Sequence, residues 1–509
     1  MLRIVKILLL IFFVSLSVNA IQEKSVYYID SQSGNDANNG LSPESAWGTF
    51  LNANLKEFKP GDYILLKSGC TWFDSLAPKG SGSDEAPITI TSYGDGNRPI
   101  INGEGTAKAP LYLRNQSNWI IEGLEVTNPA PERGVMYRGG ILVENDNGGV
   151  QRNIKILNNY VHHVTSSFRY AYDFHPHQFG GIAVNVTGSK GTDKFQNVLI
   201  EGNKVENVGR TGIVVWDHIF AKYDEACRGV RIKNNSVKDI DSDGILTYGC
   251  DGAIIEHNVA DGCGSYREDG GFNGAVAIWC TRGSNCIIQY NEVFNTHMLE
   301  GNADGTAFDI DIDAIDCTVQ YNYSHDNQGG FMLFIDASNS SGSIVRYNIS
   351  QNDKTRIFMI AGGVPPNMKI YNNTIYICAG LDTKIIEHTW DEAGNINAPW
   401  IFKNNIIYNY GSGGYLIPGT GGIFSNNIYF GNHPESEPYE PNKITKDPML
   451  ENPGVGTHGF KLLSGYKLKK KSPAIKAGAI IDHNGGLDFF ENKVTVYDKP
   501  NIGASQNQF

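Results

Sequence analysis

The chain has 509 residues, with 54 Asp or Glu against 42 Lys or Arg and a net charge of −12. That balance argues against a nucleic-acid partner, which selects for a basic face. With 40% hydrophobic and 11% aromatic residues the chain is too apolar for disorder, and its 58 glycines lack the every-third-residue period of collagen.

At the start of the chain, Arg3 and Lys6 precede an apolar run from Ile7 to Val14 and a small-residue exit, Val18-Asn19-Ala20. This is the pattern of a secretory signal peptide cleaved after Ala20. The run is short for the ~20 apolar residues of a spanning helix. The mature chain is therefore expected to be secreted or periplasmic, monomeric, and without a membrane partner.

From Ile156 onward one pattern recurs: an apolar residue, two further residues, then Asn. It ends at Asn159, Asn203, Asn235, Asn258, Asn291, Asn322, Asn348, Asn373, Asn405 and Asn427. A repeat with a floor of 22 to 26 residues, rich in Gly and short β segments, is the signature of a solenoid. No amphipathic helical stretch is visible, and Leu is too sparse for leucine-rich repeats. The expected fold is all-β: a single right-handed parallel β-helix with capped ends. Its repeated Asn side chains would stack at the ~4.8 Å spacing of neighbouring strands. The expected organisation is a signal peptide (1–20), an N-terminal cap and first coils (21–110), the β-helix core with insertion loops (111–440) and a C-terminal cap (441–509). Cys227 and Cys250 each lie eight residues before a repeat Asn, and Cys286 and Cys317 five before one. Each pair should therefore stack, as buried thiols or as a disulfide between coils.

A second strand follows each repeat Asn. Aligned on their first small residue, these strands begin at Gly181, Gly212, Gly244, Ala275, Ala307 and Phe331. Second and fourth positions are almost all apolar and so point inward. The fifth position reads Asn185, Trp216, Tyr248, Trp279, Asp311 and Ile335, and the third contains Asp309. Three outward aromatic rings ending at acids suit a platform for sugar rings, whose C–H faces lie on aromatics. Asp309, Asp311 and Asp313 alternate and are expected on one strand face.

Two chemistries fit these acids. In a glycoside hydrolase, Asp309 and Asp311 serve as general acid and as base or nucleophile, with Asp304 and His325 assisting. Carboxyls ~5–5.5 Å apart give retention and ~6.5–9.5 Å inversion, and an i,i+2 pair reaches either range. No cofactor is required. In a polysaccharide lyase, Asp309, Asp311 and Asp313 instead hold Ca²⁺ against a uronate. Trp216, Tyr248, Trp279, Asp243, Asp313, His218, Arg267 and Arg282 are the expected substrate contacts. The pairs His162-His163 and His175-x-His177 lack Cys or Glu at metal-binding spacing. A non-catalytic glycan-binding protein is the third reading.

Further elements complete the pattern: Tyr27 to Asn52, Pro60-Gly-Asp62 and Ile101-Asn-Gly103 at one end, Asp447-Pro448, Ser472 to Gly478 and Pro500 to Ala504 at the other. With the Asn repeats, these resemble the secreted bacterial right-handed β-helix carbohydrate-active enzymes of the pectin-lyase-like group. The block from Asp243-Gly-Ile through Asp304-Gly and Phe308-Asp-x-Asp311 to Gln320–Asn327 is similar to a pattern recurring there. The resemblance implies the fold and an oligo- or polysaccharide substrate. It does not choose the reaction: the Asn-Thr-Asp, Asp-Asp and Arg-x-Lys motifs of polygalacturonases are unmatched, and so is the Asn-rich lyase pattern.

Overall fold

The computed structural model describes residues 24–507, apart from 135, 169–175, 218–225, 266–273, 300–303, 337–338, 390–397, 418 and 420. The signal segment, His218 and Arg267 lie outside the described residues. The strands form three parallel sheets that the chain visits in turn. The first runs from Val26–Ile29 to Gly422–Ser425, the second from Thr71–Trp72 to Ile428–Gly431, the third from Leu111–Arg114 to Tyr415–Leu416. The result is a parallel β-helix. Among the described residues no helix is long and apolar enough to cross a membrane.

The repeat explains the coil. Its apolar member forms a column in the first sheet, where Ile232, Ile255, Ile288, Val319, Val345 and Ile370 pair in register and are buried. The residue before each repeat Asn turns the corner with φ between 50° and 68°. That left-handed conformation is open to Gly and tolerated by Asn. Here Gly202 and Asn234 use it, but so do His257, Tyr290, Tyr321 and Tyr347.

The Asn itself satisfies the polar groups that this corner would strand in the interior. Asn322 Oδ1 accepts from the Asn291 backbone N–H at 2.9 Å and from Asn291 Nδ2 at 3.0 Å, while Asn322 Nδ2 donates to Ile288 O at 2.9 Å and to Asn348 Oδ1 at 3.1 Å. The ladder starts where Leu124 N–H donates to Asn159 Oδ1. It ends on Glu440, whose carboxylate accepts from Asn427 N and Nδ2 at 2.8 Å each. Cys227 and Cys250 are register partners, and the Cys286 carbonyl accepts from the residue after Cys317. All four are buried thiols.

Replacing Asn322 by Ala removes four buried hydrogen bonds and orphans the Asn291 N–H. Stability is expected to fall by about 2–5 kcal/mol, since each stranded buried group costs roughly 1–3 kcal/mol. Urea unfolding checks this; a change below about 0.5 kcal/mol would mean that the ladder does not hold the coils.

Candidate active site

The outer face of the third sheet carries the site. Its central column, in register, is Leu142, Ala183, Val214, Leu246, Trp279, Asp309, Leu333, Met359 and Glu387. Trp279 therefore does not continue the row Asn185, Trp216, Tyr248; the residue opposite Tyr248 is Thr281. The expected alignment was two residues out at this strand. The small residue facing Gly244 is Ala277, not Ala275: Ile245 N–H donates to Ala277 O, and a Cβ on Gly244 would lie 2.5 Å from that oxygen. The correction places Trp279 directly beside Asp309.

The platform is not an open stripe either. Trp216 stacks on Tyr248 with centroids 4.0 Å apart and faces the His177 ring at 6.0 Å. Trp216 and Trp279 are buried, and Tyr248 is half-buried. The segment Pro176–Gln178 and Phe179, from the longest insertion, pack on this face. Arg282 lies over the Tyr248 ring at 5.6 Å.

Asp309, at 2% exposure, is the carboxylate in the middle of this apolar column. Its Oδ1 has no hydrogen-bond partner among the described residues. Burial first, then Asp311, Asp304 and Asp243, hold its carboxyl well above the usual range. Asp311 lies just past the end of the strand Thr306–Ile310 and is half-buried. Burial pushes it up to about 6, against the pull of the Ile312 N–H, the Thr281 hydroxyl and Arg282. Asp304 is also half-buried. Burial, with Asp243 and Asp311 adding, lifts it to about 7 against Arg356. Gly305 fixes its approach: φ is 92°, and a Cβ there would meet Met298 Cβ at 2.5 Å.

Asp243 behaves in the opposite way. Burial works against its charge, but His177, Arg210 and the Val276 N–H hold it down to about 2. Burial, then Arg210, keep His177 below the usual imidazole range. His177 Nδ1 lies 2.7 Å from Asp243 Oδ2, and one Arg210 guanidinium nitrogen lies 2.8 Å from Nδ1 and 3.0 Å from Nε2 of the same ring. Trp279 Nε1–H donates to the other oxygen, Asp243 Oδ1, at 3.1 Å. Asp243, expected as a substrate contact, is instead the buried anchor that orients Trp279. Arg356, also buried, pairs with Glu387 Oε2 at 2.9 Å and reaches the Asp304 carbonyl at 3.4 Å. His177 as an anchor, Arg210, Arg356 and Glu387 were missed by the sequence reading. Their partners lie 31 to 66 residues away in the chain, and only the coil register brings them together.

Two more expectations are corrected. Asp313 leaves the acid row: it sits in a turn with φ 57°, 3.6 Å from Arg282 and bonded by Asn339 at 3.0 Å. His325 is on the second sheet, in the strand Tyr323–His325. The corner at Asn322 carries the chain off the first sheet, so a residue three positions later cannot face the third. The structure thus brings together Asp304, Asp309, Asp311, Asp243, Trp216, Tyr248, Trp279 and Arg282 on one face, but not His325.

A coil of three parallel sheets with acids sunk into its outer face defines a class, and sequence comparison agrees. The model of the right-handed β-helix region matches residues 97–266 and 183–380, and the chain belongs to this family. It is 28% identical, over 95% of its length, to the lacto-N-biosidase of Bifidobacterium longum subsp. longum, and spans only 36% of that relative. Among solved structures, the GH136 lacto-N-biosidase of Eubacterium ramulus superposes with a TM-score of 0.63 at 23% identity, over 77% of this chain and 68% of that one. XylC in complex with xylose superposes at 0.55 and 13% identity, over 95% and 98%. Both structural likenesses concern the fold.

Asp309 gives a pH signature. An acid whose folded pKa is raised keeps its proton when the unfolded chain has lost it, so stability falls as pH rises above about 4. Asp309→Asn removes that loss. Its melting temperature is expected to gain on the wild type steadily from pH 4 to pH 7; an equal offset at both pH values would show that Asp309 is ionised.

Proposed function

We propose that this protein is a secreted glycoside hydrolase acting on an oligosaccharide, with Asp304 as general acid and Asp311 as nucleophile or base. The carrying observation is that Asp304 and Asp311 are the two half-buried carboxyls on one aromatic-lined face, held at about 7 and about 6. Both carboxyls are raised toward neutrality, so the pair can offer one proton to the leaving oxygen and one ionised oxygen to the anomeric centre, the division of labour that glycosidic cleavage needs. Asp309 gives up the acid role expected of it, because it lies between Trp279 and Leu333 out of solvent's reach. Tyr248 and Arg282 edge the cleft as sugar contacts.

The lacto-N-biosidase relative supports an oligosaccharide substrate, so oligosaccharides carrying lacto-N-biose are the first to test. The Ca²⁺-lyase reading is weakened by Asp313, which turns to Arg282 and leaves the three-acid row incomplete.

The activity follows from the sign of each shift. kcat/KM should rise as Asp311 ionises near pH 6 and fall as Asp304 loses its proton near pH 7, giving a narrow bell between them. Asp304→Asn should cost about 10²–10⁴-fold on a natural oligosaccharide, much less on an aryl glycoside with a good leaving group, and should erase the alkaline limb. Asp311→Asn should abolish turnover of both. Unsaturated uronate among the products, or an Asp304→Asn variant with unchanged turnover and pH profile, would overturn the assignment.

A further inference from the structure

We propose that Glu292, His325 and His458 form a binding site for a divalent transition-metal ion of the Zn²⁺ type, which fastens the C-terminal segment to the coil stack. The site lies on the second sheet, not on the sheet that carries the aspartates. Glu292 and His325 come from the neighbouring strands Glu292–Phe294 and Tyr323–His325. His458 comes from the segment that returns across them.

The donor atoms already converge. His325 Nε2 is 3.4 Å from Glu292 Oε1, His458 Nδ1 is 3.9 Å from the same oxygen, and one donor atom from each residue lies within 4.8 Å of the others. A tetrahedral ion with bonds of about 2.0–2.2 Å separates its donors by roughly 3.4 Å. The first edge has that length. The others close by a swing of His458, whose side chain is 64% exposed. Two imidazoles and one carboxylate with a fourth position open to water is a donor set that Zn²⁺ takes.

The surroundings hold these donors in place. The His325 ring is stacked between Phe294 at 4.8 Å and Tyr323 at 4.5 Å, and His458 lies over Phe294 at 4.3 Å. Asp326 Oδ2 bonds His325 Nδ1 at 2.8 Å. That is the carboxylate–histidine relay that sets the tautomer of a metal-binding imidazole and turns Nε2 outward as a lone pair. A lone pair facing the Glu292 carboxylate is repelled unless a cation stands between them. The Gly459 N–H donates to Glu292 Oε1 at 2.7 Å, which leaves that oxygen a second lone pair. Around the site the C-terminal segment is also held by neutral contacts: Gln351 Nε2 donates to Gly456 O at 2.7 Å, and Tyr466 OH to Gln351 Oε1 at 2.7 Å. A metal there adds a strong tie between residues more than 130 positions apart.

The competing arrangement is an imidazolium with no metal: His325 protonated on both nitrogens, bridging Asp326 and Glu292. Burial opposes that charge, but the two carboxylates outweigh it and raise His325 above its ordinary range. Metal content separates the two. Tag-free mature protein is stripped with chelator, incubated with Zn²⁺, freed of excess by gel filtration and assayed for zinc. The expected result is one equivalent per chain and a rise in melting temperature of several degrees. Co²⁺ should give the visible absorption of a tetrahedral site. His458→Ala should change the metal-free melting temperature far less than the zinc-bound one, and should lose the bound equivalent, the shift and the Co²⁺ spectrum. Asp326→Asn should bind about 10–100-fold more weakly. Wild-type protein without stoichiometric zinc, or His458→Ala binding as tightly as wild type, would overturn the proposal.

Discussion

From Asn159 to Asn427 each coil of this protein turns its corner on an asparagine that mends the hydrogen bonding of the corner before it. The side-chain oxygen takes the N–H and amide of the previous coil's Asn, and its own amide returns a bond to the carbonyl of that coil's apolar residue. The constraint is local in chemistry and global in effect. It fixes the axial stagger of each coil against the next, so a position counted from the Asn becomes a position in space. Insertions of any length can leave the coil elsewhere without disturbing that count, as the 44-residue interval before Asn203 shows.

That separation of scaffold from loops explains how much the sequence disclosed. The Asn spacing and the inward alternation of Ile213/Val215 and Phe308/Ile310 identified the coil and put Asp309 on the outer face. The misplacement of Trp279 arose where an insertion after Asn258 broke the count and the strand was matched on small residues instead. Ala275 and Ala277 both suit the start of a strand, and only packing against Gly244 selects Ala277. Asp313 obeys the period of two, but a left-handed φ turns it out of the strand. His325 follows its repeat Asn so closely that it belongs to the second sheet. Asp243 with His177 and Arg210 could not be seen, because an insertion supplies His177 and nothing local marks its partner.

The acids of the third sheet show how a rigid scaffold divides its electrostatic cost. Four carboxyls crowd an apolar face that would favour none of them ionised. One, Asp243, is given a histidine, an arginine and an indole N–H and is held as an anion. Asp309 Oδ1 is given no hydrogen-bond partner among the described residues, and burial raises the proton affinity of its carboxyl. Asp304 and Asp311, between these extremes and half in contact with solvent, titrate near neutrality. Pairs whose environments separate their proton affinities are the material of acid–base catalysis, and here the separation comes from the partners each buried acid is given along one face.

A crystal structure of the Asp304→Asn variant soaked with a lacto-N-biose-bearing oligosaccharide tests the central claim most directly. Sugar density is expected on the outer face of the third sheet, with its scissile oxygen at the amide of residue 304, its anomeric carbon facing Asp311 and a ring edge beside Tyr248. Sugar seated on another sheet, or on this face with Asp311 turned away from the anomeric carbon, would contradict it.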